Sequence, residues 1–206
     1  WAAGRLEPVR HVAHITYADL QEVDTQKGRF ARNLAQFVAG QPANNVLLSG
    51  ARGTGKSSLV KAGLHAHASQ GLRLIEVDKA DLIDLPNVLI YATSNRRHLL
   101  PEYHSDNATY KHTSDGELHP GEAVEEKISL SERFGLWISF YPFTQDEYLA
   151  IVAQWLAHFG LPEGVMDVAR PQALLWALER GSRSGRVAYQ FARDYAGRDH
   201  TGADHV

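Results

Sequence analysis

The chain has 206 residues, 44% of them hydrophobic, which suffices for one domain or for a core plus a small second domain. It has no cysteine, so a disulfide framework and a thiolate zinc site are excluded and a reducing compartment is expected. The net charge of −3 does not indicate a non-specific nucleic-acid binder. Because no apolar run approaches about 20 residues and the start does not resemble a signal peptide, we expect a cytoplasmic protein without a membrane span.

The first nineteen residues show no clear hydrophobic period and are interpreted as an N-terminal extension. Phe30, Leu34 and Phe37 then recur at helical spacing, which predicts a helix between Leu20 and Gly40, with Gly40 ending it. A helix that ends just before the first strand can wall one side of a nucleotide pocket or simply pack on the core, and the two interpretations are compatible.

A phosphate-binding pattern, GxxxxGKS, occupies residues 50–57. The four apolar or small residues 46–49 before it predict a short buried strand, and residues 58–68 after it predict a helix. Strand, glycine-rich loop and helix in this order is the context that the motif needs, and a chance glycine turn is the alternative.

The residue types in this loop suit a phosphate ligand. Gly50, Gly53 and Gly55 let the backbone turn sharply and bring its N–H groups close to a phosphate. Lys56 is expected to reach the β- and γ-phosphates, and the Ser57 hydroxyl to bind Mg²⁺. The loop residues expected to contact the nucleotide are Gly50, Ala51, Arg52, Gly53, Thr54, Gly55, Lys56, Ser57 and Ser58.

The middle of the chain predicts two further strands. Residues 72–78 alternate like a strand, and the polar residues 79–86 are predicted to form a helical segment. Residues 87–95 predict a buried strand that ends in polar side chains. Polar strand ends of this kind line the crevice of open α/β sheets. Residues 99–121 are polar and too long for a plain connection, so they form either a solvated loop or a substrate or partner loop.

The last third predicts one strand and three helices. A short helix over residues 122–129 precedes a strand over residues 135–141, which Pro142 closes. The predicted helices then cover residues 144–159 with a capping box, 171–180 with Pro171 in the first turn, and 187–196.

Four of these motifs together resemble an AAA+ ATPase. Besides the phosphate loop they are Thr93-Ser94-Asn95, Ser131-Glu132-Arg133-Phe134 and Gly185-Arg186. Longer stretches are similar to a bacterial AAA+ family of unassigned biological role, related in layout to replication initiators and helicase loaders. These stretches are residues 42–48, 50–62, 92–99 and 120–137, within a resemblance that covers residues 16–196.

The resemblance implies an α/β fold: a P-loop NTPase core of three αβα layers with a parallel sheet, followed by a small C-terminal helical lid. The implied domains are an N-terminal extension 1–19, the nucleotide-binding core 20–142, the lid 143–196 and a tail 197–206.

It also implies residue roles. Lys56 and Ser57 match the Walker A residues, with Ser57 on Mg²⁺, and Asn95 matches sensor 1, which orients the attacking water. Arg133 matches the arginine finger that acts in a neighbouring subunit, and Arg186 matches sensor 2 in the lid. The residues implied to border the adenine are Leu20, Val23 and Gln26.

The residues themselves leave plainer alternatives open. Asn95 can be a turn residue at a strand end, Arg133 can form a surface ion pair with Glu132, and Arg186 can be a solvated residue at a helix N-terminus. A cation at that last position is mildly unfavourable for the helix dipole, which favours a functional reason for it.

A Walker B strand with acidic residues is missing between the strands 72–77 and 88–93. Parallel strands need crossovers of about a dozen residues or more, so the intervening residues 79–86 cannot hold the strand. We therefore expect a vacancy beside the phosphate-loop strand, and we infer that a few tens of residues are absent between Pro86 and Asn87. A Cα spacing of about 3.8 Å at that junction would contradict the inference.

The leading functional hypothesis is a homo-oligomeric ATPase that uses ATP and Mg²⁺, releases ADP and remodels an unidentified protein or nucleic-acid client. The alternative is a nucleotide-dependent binding switch that hydrolyses little or no ATP, and a P-loop small-molecule kinase is a third candidate. A zinc site at His65 and His67 is disfavoured, because residues two apart on a helix do not face one another.

Overall fold

The described part of the chain forms two compact units. The computed structural model describes residues 8–9, 14–76, 87–95, 111–112, 118–119 and 133–198. The first unit, called the sheet unit here, is Trp1–Leu20, Thr25–Gly50 and Lys56–Phe140. The second, called the helical unit, is Gln21–Asp24, Ala51–Gly55 and Tyr141–Val206.

The sheet unit contains a parallel sheet of three strands and two helices. Their bounds are α1 Asp24–Val38, β1 Val46–Gly50, α2 Lys56–His67, β2 Tyr91–Ser94 and β5 Leu136–Phe140. The strand order is β2-β1-β5. Val46 pairs with Tyr91 on one side and Leu136 on the other, and all five residues of β1 are buried. This mixed α/β arrangement agrees with the αβα layout that the sequence predicts.

The two helices of the sheet unit pack closely at a glycine. Phe30 and Leu34 of α1 are buried, and a Cβ on Gly63 of α2 would lie 2.6 Å from the Leu34 Cδ2 and 2.7 Å from the Phe30 Cε1. The predicted first helix is thus confirmed, although it begins at Asp24 rather than near Leu20. Gly40 follows it with a φ of +70°, which suits the helix end predicted there.

The strand predicted over residues 72–78 is wrong for its described part. Residues 72–76 have no regular structure, and Leu74 and Ile75 are 41% and 59% exposed. Alternation alone does not hold a strand, because its backbone groups need a paired neighbour. Residues 77–78 lie outside the described residues.

The predicted vacancy beside the phosphate-loop strand is also wrong. β1 is paired along its length on both sides, by β2 and by β5. The edge strands are β2 and β5, each of which pairs only with β1 among the described residues. β2 is also shorter than the predicted strand over 87–95, and its four residues are half-buried or exposed.

Part of the long polar segment forms a small antiparallel ribbon. β3 (Lys111–His112) pairs with β4 (Leu118–His119), so the segment 99–121 is more than a plain loop. The predicted helical segments 79–86 and 122–129 lie outside the described residues. So does the Pro86–Asn87 junction, because Pro86 is not described.

The helical unit consists of α3 (Gln145–His158), α4 (Met166–Glu179) and α5 (Gly185–Ala196). The capping box predicted for α3 is confirmed: the Thr144 Oγ1 accepts a hydrogen bond from the Glu147 N–H at 3.3 Å, and the Glu147 Oε2 accepts one from the Thr144 N–H at 2.7 Å. Fully buried side chains from α3 and α5 form its core. The largest of them are Tyr148, Phe191, Leu156 and Val152.

The helix α4 begins five residues earlier than the sequence predicts, so Pro171 lies inside it rather than in its first turn. A short 3₁₀ turn at Glu163–Val165 runs directly into α4, so the residues just before Pro171 are helical and not part of a loop. Alanines recurring every four residues, Ala169, Ala173 and Ala177, are buried on one face of α4. Burial of these alanines compensates the cost of the one backbone hydrogen bond that is missing because proline has no N–H. Within the described ranges, every helix is too short or too polar to cross a membrane.

Candidate functional site

The loop between β1 and α2 depends on glycines in positive-φ conformations. Gly50, Gly53 and Gly55 have φ values of +120°, +79° and +99°, a region that other residues rarely adopt. The Thr54 Oγ1 donates a hydrogen bond of 2.8 Å to the Ala51 carbonyl oxygen, which holds the loop closed on itself. The loop is thus a turn shaped by its glycines and by Thr54, and it leads directly into the first residue of α2.

The start of the loop is packed against the neighbouring strand. Gly50 pairs with Phe140 at the end of the β1–β5 ladder. A Cβ on Gly50 would overlap the Phe140 carbonyl oxygen and lie 2.8 Å from the Phe140 carbonyl carbon. Only glycine therefore fits at this position, on grounds of both φ and space.

The Lys56 ammonium is buried against the loop backbone. Its Nζ donates a hydrogen bond of 2.9 Å to the Gly50 carbonyl oxygen, and the residue is only 6% exposed. Burial lowers the pKa of Lys56 from its ordinary value, because desolvation disfavours the charged form. Ser57, the predicted magnesium ligand, is exposed.

Asn95 lies at the same edge of the sheet as the loop. Ser94 of β2 pairs with Ser49 of β1, and the next residues in the two strands are Asn95 and Gly50. Adjacent strands lie about 4.8 Å apart, which places the Asn95 backbone beside the start of the loop. Gly50 and Asn95 therefore both lie at the carboxyl edge of the parallel sheet, and Lys56 is joined to Gly50 by its hydrogen bond.

The three residues predicted to border the adenine occupy the segment around the start of α1. The Gln26 Nε2 donates a hydrogen bond of 3.1 Å to the Ser139 carbonyl oxygen, near the carboxyl end of β5. Leu20 is buried in the sheet unit, and its carbonyl oxygen accepts a hydrogen bond of 2.7 Å from the Lys27 Nζ. Val23 is buried in the helical unit.

Arg133 lies at the opposite edge of the sheet. It precedes β5, whereas Gly50 ends β1, and these parallel strands pair from Val46 with Leu136 onwards. Since a strand rises about 3.3 Å per residue, the length of β1 alone separates the two edges by roughly 13 Å. Arg133 is exposed, has no ion pair among the described residues and lines a surface depression of about 500 Å³ that also includes Asn45. Glu132, its suggested ion-pair partner, lies outside the described residues.

Arg186 lies in the first turn of α5, close to the tip of the loop. Within the helical unit, a Cβ on Gly53 would be 2.8 Å from the Ser184 Oγ and 3.6 Å from the Arg186 Cβ. The side chain of Arg186 is exposed and has no ion pair among the described residues. The structure therefore brings the residue predicted as sensor 2 next to the glycine loop.

Two features of this region were not predicted. Ser184 is 5% exposed and packs on Gly53; its position before a helix signals an N-cap, but nothing in the sequence signals the contact with the loop. Glu22, in the segment between Leu20 and α1, has a φ of +60°, and glutamate carries no signal for that conformation.

The described residues contain no cluster of three or more side chains suited to a metal ion. His65 instead packs edge-on against the ring of His14, with centroids 4.6 Å apart.

The chain belongs to the family described as "Protein of unknown function (DUF815)". The family model matches it in two segments, residues 1–88 and 86–199, which meet at residues 86–88. No curated protein matches the chain significantly.

Proposed function

We propose that the protein binds ATP with Mg²⁺ at residues 50–57 and serves as an AAA+-type ATPase. The observation that carries the proposal is the positive-φ glycine loop that holds the buried Lys56 ammonium against the Gly50 carbonyl oxygen. A Cβ at Gly50 would collide with the Phe140 backbone and one at Gly53 with the Ser184 side chain, so glycine at both positions lets the loop keep this tight shape. Backbone N–H groups, one ammonium and a helix N-terminus are the groups that phosphates prefer.

Each residue of the proposed site has a separate role toward the phosphates. Lys56 would exchange the Gly50 carbonyl oxygen for a phosphate oxygen, which compensates the cost of its burial. The glycine backbone would donate its N–H groups, and Ser57 would offer its hydroxyl to Mg²⁺, which supplies charge neutralisation when bound. Asn95, at the same sheet edge, would orient a water molecule, and Arg186 would add positive charge from α5.

Arg133 is proposed to serve the site of a second copy of the chain. It stands at the opposite edge of the sheet from Gly50, and an arginine side chain of about 7 Å cannot cover a separation of roughly 13 Å or more. An exposed arginine without an ion pair in the described residues is available to an external anion. An arginine supplied in trans can accelerate phosphoryl transfer by about three to five decades.

Hydrolysis also needs acidic residues, and a few tens of residues carrying them are proposed to be absent between Pro86 and Asn87. Three observations support this. The family match divides at residues 86–88, residues 72–76 expose Leu74 and Ile75, and β2 has no second neighbour among the described residues. The chain as it stands then favours the second candidate, a switch that binds ATP and hydrolyses little of it.

Binding is tested with a fluorescent ATP analogue and Mg²⁺. Wild-type protein should bind it, and Lys56→Ala should weaken binding by at least about tenfold, because a charged hydrogen bond to phosphate is lost. Arg73→Ala removes an exposed cation from the same unit and should bind normally. Equal binding by Lys56→Ala and wild type would refute the proposal.

Hydrolysis and assembly need a second experiment. The gene should first be sequenced across codons 86–87, and the protein that it encodes should be produced beside the present chain. Phosphate release and oligomer size, with and without ATP, should then be measured for both proteins. Should the longer form hydrolyse ATP, mixing its Arg133→Ala and Lys56→Ala variants should restore part of the activity. If codons 86 and 87 are adjacent in the gene and the present chain hydrolyses ATP, the proposal that residues are absent between Pro86 and Asn87 is contradicted.

A further inference from the structure

The tip of the glycine loop is seated on the N-terminus of α5. A Cβ placed on Gly53 would lie 2.8 Å from the Ser184 Oγ and 3.0 Å from the Ser184 Cβ, so the two residues are in direct contact. The approach is close on both sides: a Cβ placed on Gly185 would lie 3.4 Å from the Gly53 carbonyl oxygen and 3.9 Å from the Phe143 Cε2. Both the loop tip and α5 belong to the helical unit.

The α5 side of this contact is held in place by its own helix. The Ser184 Oγ accepts a hydrogen bond of 3.3 Å from the Val187 N–H, and the Ser184 carbonyl oxygen accepts one of 2.9 Å from the Ala188 N–H. Ser184 is therefore the N-cap of α5 and is 5% exposed. A shift of Gly53 toward α5 would therefore press on a buried side chain that is hydrogen-bonded to the first turn of α5.

We propose that Ser184 and Gly185, named here the loop seat, couple phosphate binding at the loop to the orientation of Arg186. This inference rests on the proposed nucleotide binding. A bound phosphate would fix the loop backbone through its N–H groups, and the loop seat would pass that position to the turn that carries Arg186. Arg186 is close enough to respond, since its Cβ lies 3.6 Å from a Cβ built on Gly53. Ser184 and Gly185 are positioning residues, because they are proposed to act on the nucleotide only through the loop and Arg186.

Gly185→Ala perturbs the loop seat without removing the cap. The added methyl meets the Gly53 carbonyl oxygen at 3.4 Å and has to displace it slightly, while alanine is the better helix former. The matched control is Gly197→Ala at the other end of α5, where the methyl meets the Arg193 carbonyl oxygen of the same helix at the same 3.4 Å. Neither glycine has a positive φ, so the backbone accepts alanine at both positions.

The Kd for a fluorescent ATP analogue with Mg²⁺ is expected to rise about fivefold in Gly185→Ala and to change less than about twofold in Gly197→Ala. Thermal stability without nucleotide should stay at or above that of wild type in Gly185→Ala. Ser184→Thr gives a second test, since it keeps a capping hydroxyl and adds a methyl beside Gly53; it should also raise the Kd.

Hydrogen exchange separates coupling from simple packing. In wild-type protein, nucleotide should slow exchange of the Val187 and Ala188 amides, and this slowing should be reduced at least about threefold in Gly185→Ala. Wild-type Kd and wild-type slowing in both Gly185→Ala and Ser184→Thr would overturn the inference. If Lys56→Ala abolishes binding in the same series, the proposed function survives that result. A wild-type protein that binds no nucleotide would overturn both.

Discussion

Gly50→Ala is expected to be among the most destabilising single substitutions in the sheet unit. The residue has a φ of +120°, where an alanine costs about 1–3 kcal/mol. Its methyl would also overlap the Phe140 carbonyl oxygen and approach the Phe140 carbonyl carbon to 2.8 Å and its N to 3.0 Å. These atoms belong to the β1–β5 ladder, so the strands must part at their last pair. Adding about 1–3 kcal/mol for that overpacking gives a total loss of about 2–6 kcal/mol.

Urea denaturation of purified variants measures this loss. Gly71→Ala is the matched control, because Gly71 has a φ of +94° and open space around its Cβ position, so it carries the backbone cost alone. We expect Gly71→Ala to lose about 1–2 kcal/mol. A Gly50→Ala variant that fails to fold beside a folded Gly71→Ala agrees with the larger figure. Equal losses in the two variants would refute the argument from the Phe140 contact.

Two tyrosines give opposite expectations for replacement by phenylalanine. The Tyr148 hydroxyl donates a buried hydrogen bond of 3.1 Å to the Ala173 carbonyl oxygen, so Tyr148→Phe should lower the free energy of unfolding by about 1–2 kcal/mol. The Tyr17 hydroxyl is buried without a partner in the described part of the chain, and burial raises the pKa of Tyr17 to about 12. Tyr17→Phe should therefore be neutral or stabilising in the same urea assay, and a loss above about 1 kcal/mol would reveal a partner for that hydroxyl.

Local signals account for what the sequence predicted well. The order of strand, glycine loop and helix at residues 46–67 is read from neighbours in the chain, because each glycine needs its conformation whatever the rest of the fold does. The start of α3 is equally local, since Thr144 and Glu147 satisfy one another's backbone groups within a single turn.

Predictions failed where a distant part of the chain decides the outcome. The helix α4 begins at Met166 and continues through Pro171 with buried alanines along one face, and no short-range pattern in the sequence indicates that start. The contact of Ser184 with Gly53 joins residues more than a hundred positions apart, so spacing could show the cap but not what the cap touches. The role of Arg133 is of the same kind: sequence similarity suggests the finger, whereas the separation of the two sheet edges is what argues for action in trans.

The correction to the sheet sharpens the question of the missing acidic residues. With β5 and β2 on either side of β1, no strand is lacking beside the phosphate loop. The proposed absent strand would instead lie one strand further out, beside the edge strand β2, which is half-exposed. Residues 72–76 have a strand-like alternation and yet expose Leu74 and Ile75. One additional parallel strand next to β2 would cover its open edge and offer residues 72–76 a partner. The single absent segment proposed above would account for both observations, and its carboxyl end would lie at the same edge of the sheet as Asn95.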